Sequence, residues 1–161
     1  MKNSISNYIV RYRKIFMEII AFLLVILFMY TGMTKLLDHT QFYYSLINSP
    51  LFEDKSLISF ISSFIPIVEI IIALCIAFPK TRLKGLYGAF ILMCLFTVYV
   101  GGILVFSPNR PCSCGGVISS LDWGEHLIFN VCFTLLALTG ILLHRRNNTN
   151  TSLTNTTLLK H

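Results

Sequence analysis

LISFISSFIPIVEIIIALCIAF, from Leu57 to Phe78, holds one charged residue, Glu69, in a run long enough to cross a bilayer as a helix. Three more apolar runs match it: Ile15 to Thr31, Gly85 to Phe106 and Gly124 to Leu143. The 161-residue chain is 55% hydrophobic and only 12% charged. A soluble domain of this size carries about 25% charged residues, so the missing charge implies that much of this surface faces lipid and makes a cytosolic enzyme a poor reading. The fold class that follows is an all-α integral membrane protein, a four-helix up-down-up-down bundle occupying residues 1–143.

Basic residues give the orientation. With the N-terminus in the cytoplasm, Lys2, Arg11, Arg13, Lys14, Lys80, Arg82, Lys84, Arg145, Arg146 and Lys160 lie inside, and Lys35, Lys55 and Arg110 outside. This asymmetry places both termini in the cytoplasm of a bacterial inner membrane. It also attributes the net charge of +6 to topology and anionic lipid, so nucleic acid is not an expected partner. The first span follows a basic stretch but no small-x-small cleavage site follows it, so it reads as a retained anchor.

Outside the spans, Gly32 to Ser56 carries Leu36, Leu37, Phe42, Tyr43, Leu46 and Ile47 at helical spacing, which predicts a short interfacial helix after the first span. Residues 144–161, rich in Asn, Thr and Ser, read as a disordered cytoplasmic tail. Its Asn-x-Ser/Thr triplets at Asn147, Asn150 and Asn155 fall on the cytoplasmic side and read as products of composition.

The chemistry-bearing stretch is Pro111-Cys112-Ser113-Cys114-Gly115-Gly116, in the extracytoplasmic connection before the last span. A disulfide between Cys112 and Cys114 closes so short a loop that chain entropy contributes only about 1.6 kcal/mol. Its strained geometry raises the reduction potential, which suits transfer of oxidising equivalents better than stapling a fold. The alternative is an incidental bond without turnover. Asp122 and Glu125 resemble an N-cap and its partner at the start of the last helix, and His126 follows, either as a proton donor and acceptor for the thiols or as a polar anchor.

Within the membrane Glu69 and Asn130 need explaining. A charged carboxylate mid-span costs about 3 kcal/mol, so Glu69 should face the bundle and be neutral or hydrogen-bonded. Ser59, Ser62, Pro66, Glu69 and Ala73 form one helical stripe; Trp123, His126, Asn130 and Thr134 form another on the fourth span. Both stripes fit interhelical hydrogen bonding, and both fit a polar relay or a quinone-facing pocket built on Glu69, Asn130 and Trp123. Cys75, Cys94 and Cys132 lie in apolar runs and read as structural filler. Paired thiolates at Cys112 and Cys114 also suit Cu(I), with Met33 or His126 nearby, although no Met-rich run accompanies them and no metal site is assigned.

Three motifs resemble the MauE/DoxX-type redox-associated membrane proteins. Thr31-Gly32-Met33-Thr34-Lys35-Leu36-Leu37-Asp38 is similar to that group's Gly-x-x-Lys-Leu-x-Asp; Pro66-Ile67-Val68-Glu69 is similar to its Pro-x-x-Glu. Cys112-x-Cys114-Gly115 followed by Trp123 and Asn130 resembles the MauE branch in particular. The resemblance implies a membrane protein that supports disulfide formation or thiol supply for exported proteins, with thiol-containing or thioredoxin-like partners. The expected function is thiol-disulfide exchange through Cys112 and Cys114. Its rivals are a quinone-coupled thiol oxidoreductase and a non-catalytic assembly factor or Cu(I)-binding module.

Overall fold

The computed structural model describes residues 2–49, 54–106 and 123–158. All the regular structure among them is helical: α1 (Lys2–Leu37), α2 (His39–Ile47), α3 (Lys55–Ala77), α4 (Arg82–Phe106) and α5 (Trp123–Leu158). Four helical stretches, Arg11–Leu37, Lys55–Ala77, Arg82–Val105 and Gly124–Arg146, are long and apolar enough to span a membrane. The chain is therefore a multi-pass membrane protein.

Two helices run past the limits that hydropathy sets. α1 continues beyond Thr31 to Leu37 because the Thr31 and Thr34 hydroxyls donate to the Leu27 and Tyr30 carbonyls, at 2.9 and 3.0 Å, hiding their polarity within the helix. α5 continues to Leu158, so the stretch expected to be disordered from residue 144 is helical to that point. Extending an existing helix needs no new nucleus, which carries weak helix formers such as Asn and Thr beyond the apolar run.

The long helices form a ring in which α1 packs on α3, α3 on α4, α4 on α5 and α5 back on α1. Its centre holds Leu24, Phe28, Ile76, Leu86, Ala89 and Ala137, all 1% exposed or less. The outer surface is apolar as well: Phe22, Phe60, Val98 and Leu135 are exposed. In water such a surface would aggregate; in lipid it is the solvated face.

With no hydrophobic effect to press helices together inside lipid, contact depends on close packing. At Gly32 an added Cβ would lie 2.9 Å from Ile70 Cγ1 and 3.1 Å from the Pro66 carbonyl oxygen. α1 therefore approaches α3 as closely as it does only because position 32 carries no side chain. At Gly85 an added Cβ would lie 2.7 Å from the Ile76 backbone nitrogen, which holds α4 tightly against the end of α3.

Both ends of α3 are capped. Asp54 accepts a hydrogen bond from the Ser56 N–H at 2.9 Å. At the other end Thr81 donates to the Cys75 carbonyl at 2.9 Å and Arg82 Nε to that of Ile76 at 3.1 Å. These bonds satisfy carbonyls that the helix itself leaves unpaired. Arg82 also reaches Glu18 of α1 at 2.6 Å.

The short helix after the first span is present as α2, with different membership. Leu36 and Leu37 belong to α1 and are exposed, while Phe42 and Leu46 of α2 are buried against Ile58 of α3. His39 Nε2 lies 3.2 Å from both Ser62 Oγ and Ser63 Oγ, a polar latch between α2 and α3. On α3 the buried face comprises Ser62, Pro66, Glu69 and Ala73, as the stripe implied, but Ser59 is exposed. The stripe drifts at that end because Ile58, one position earlier, takes the inward place under α2.

Candidate functional site: a cavity among the helices with an ion pair at its wall

Lys35 occupies the last turn of α1, one turn beyond Gly32. The close approach at Gly32 brings this turn alongside the middle of α3, and the lysine stem delivers its ammonium to Glu69. Lys35 Nζ donates to Glu69 Oε1 at 2.5 Å, with the two side chains 18% and 1% exposed. Two aromatic rings complete the cation's surroundings, Phe96 of α4 with its centroid 4.6 Å away and Phe42 of α2 at 5.4 Å. Ring faces carry negative charge density and partly replace the hydration that an ammonium loses on burial. Isolated from water, either charge is costly; together, and between two rings, the cost falls.

A cavity of about 380 Å³ adjoins the pair. All five helices line it: Lys35 from α1, Phe42 from α2, Glu69 from α3, Phe96 from α4, and His126 and Asn130 from α5. Other walls are apolar, including Leu27, Ile65 and Met93. Asn130 is 4% exposed, and its Nδ2 has no hydrogen-bond partner among the described residues. Glu69 Oε2 also has none. Thr31, which lines the same cavity, donates its hydroxyl to the Leu27 carbonyl at 2.9 Å and lies beside the Glu69 carboxylate. The cavity therefore presents one buried amide donor and one buried carboxylate acceptor in an apolar setting. Buried polar groups are ordinarily paired, and two unpaired ones beside a cavity mark a place where a ligand can supply the partners.

Of the six candidate residues, the structure brings Glu69, His126 and Asn130 to this one cavity. Trp123 begins α5, but its side chain lies outside the described residues, as do Cys112, Cys114 and the proposed Asp122 cap. Cys75, Cys94 and Cys132 are free thiols. None of these three lines the cavity.

Sequence reasoning missed Lys35 as the partner of Glu69, having placed it outside the membrane. The available signal was the Gly32-x-x-Lys35 spacing, which sets a long cation one turn past a residue without a side chain. Glu18 was missed as well; its signal was an acid near the start of an apolar run that needed a cation within reach.

Fold and cavity together define a four-span helical membrane protein with a largely apolar cavity among its helices and a buried ion pair at its wall. Residues 13–143 match the family model described as methylamine utilisation protein MauE. With most of its length matched, the chain belongs to the MauE family. No curated protein and no solved structure matches it significantly.

Proposed function

We propose that this MauE-family protein carries out thiol-disulfide exchange with exported proteins through Cys112 and Cys114, as a methylamine-utilisation-associated protein of the bacterial inner membrane. In each exchange a thiolate opens a disulfide to form a mixed disulfide, which a second thiol then resolves. Two electrons and two protons pass from the dithiol to the disulfide that is opened. The bundle runs up-down-up-down with both termini cytoplasmic, so the connection at residues 107–122 lies on the oxidising side.

One observation carries this reading. The connection is tethered at Phe106 and Trp123, and the cavity lies within about two turns of those tethers, at Tyr99 and Val100 on α4 and at His126 and Asn130 on α5. Cys112 lies six residues beyond Phe106, a reach of at most about 21 Å. A thiol pair that turns over needs a source or sink for its electrons, and this tether supports placing the pair near a buried polar site.

The test is a Cys114→Ser variant, which should trap partner proteins as mixed disulfides through Cys112. Full biological activity of the Cys112→Ser/Cys114→Ser double variant would remove the exchange reading and leave a non-catalytic assembly role. Orientation is tested separately. An impermeant maleimide applied to intact, reduced spheroplasts should label these thiols, and labelling only after lysis would reverse the topology.

A further inference from the structure

We infer that the cavity beside Lys35 and Glu69 binds a membrane-soluble molecule whose head is a planar ring bearing a carbonyl oxygen, a quinone-type group. As the electron partner of the thiols this inference rests on the exchange reading; as a binding site it stands on the cavity alone.

The cavity restricts its occupant in three ways. First, charge: the Lys35 ammonium is already matched by Glu69 Oε1, so an anionic ligand would have to displace a carboxylate that is 1% exposed. A cationic ligand would meet the same ammonium. The occupant is therefore neutral. Second, polarity: a pure hydrocarbon would leave Asn130 Nδ2 and Glu69 Oε2 unpaired in an apolar site. A carbonyl oxygen accepts from the Asn130 amide. The reduced form of the same ring carries a hydroxyl, which donates to Glu69 Oε2, so both redox states find a partner. Third, shape: Phe96, Tyr99 and Phe129 line the cavity and offer faces or edges to a flat ring. The volume of about 380 Å³ accommodates a substituted ring with part of an alkyl tail.

The chemistry balances with the dithiol of the exchange reading. Oxidation of two thiols to a disulfide releases two electrons and two protons, and reduction of one quinone to its hydroquinone takes up both.

The experiment uses the full chain in lipid nanodiscs with a decyl-substituted benzoquinone as probe. Quenching of Trp123, the only tryptophan in the chain, reads its binding. Saturable quenching is expected. Decylbenzene, which has the same tail and ring but no carbonyl, should compete at least about tenfold more weakly. In Asn130→Leu the quinone should lose about tenfold in affinity and decylbenzene nothing. The wild-type comparison stands even if that variant fails to fold. Equal competition by decylbenzene, or stronger competition by dodecanoate, would overturn the inference, the second result in favour of an anionic ligand at Lys35. The same titration with the Cys112→Ser/Cys114→Ser double variant separates the two proposals. Binding retained there, with no partner trapped by Cys114→Ser, removes the exchange reading alone; absence of quinone binding in both proteins removes this inference alone.

Discussion

Among the described residues two ion pairs tie α1 to its neighbours, and they are built for different ends. Glu18 and Arg82 meet near the α3–α4 turn with side chains 50% and 11% exposed, and the arginine also caps the Ile76 carbonyl. Lys35 and Glu69 meet inside the bundle with the carboxylate fully buried, beside a cavity, and one carboxylate oxygen is left over. The first pair uses its hydrogen-bonding capacity to close a turn. The second leaves capacity unspent in an environment where that is costly, which is the mark of a site rather than a clamp.

The largest effect that distinguishes them is the cost of removing one partner. Lys35→Met or Glu69→Leu strands a buried charge and should destabilise the protein by about 3–5 kcal/mol, read by thermal unfolding in detergent. The double variant should recover most of that loss, because two apolar side chains leave nothing unpaired. Equal damage from the single and double variants would mean that the pair contributes little as a pair. Glu69→Gln keeps an acceptor for Lys35 and should still fold, whereas Glu69→Lys, which sets two cations together, should not.

A smaller effect sharpens the geometric argument. Gly32→Ala forces the added carbon against Ile70 and the Pro66 carbonyl and should cost about 1–3 kcal/mol by overpacking. It should also weaken the coupling between Lys35 and Glu69 in a double-mutant cycle, because the last turn of α1 moves away from α3. An unchanged coupling would show that the lysine stem, rather than the helix approach, sets the contact.

The smallest effect belongs to the outer pair. Glu18→Ala should cost no more than about 1 kcal/mol, and that loss should shrink as salt is added, since the carboxylate is half exposed. The inner pair should be indifferent to salt over the same range.

This contrast also explains what could be read from the residues in order. Four runs of about 20 apolar residues announce four spans, because lipid imposes length and composition directly on each helix. The inward face of Glu69 was legible for the same reason: a lone acid mid-span has nowhere else to turn. Its partner was not, because hydropathy ends the first span at Thr31 while the helix, its threonines bonded to its own carbonyls, goes on to Leu37. A residue counted as outside by its charge reaches inward by its length. His126 and Asn130 shared a visible stripe, but that the stripe meets Glu69 across a cavity depends on how helices distant in sequence pack.

The order in which Lys35 and Glu69 are synthesised bears on how the protein is made. Lys35 precedes Glu69 by 34 residues, so α1 leaves the ribosome before α3. A nascent α3 is apolar enough to enter lipid, but the acid at its centre costs about 3 kcal/mol there. A helix that ends in a cation and is already in place lowers that cost, so the contact that frames the cavity also favours assembly in the order of synthesis.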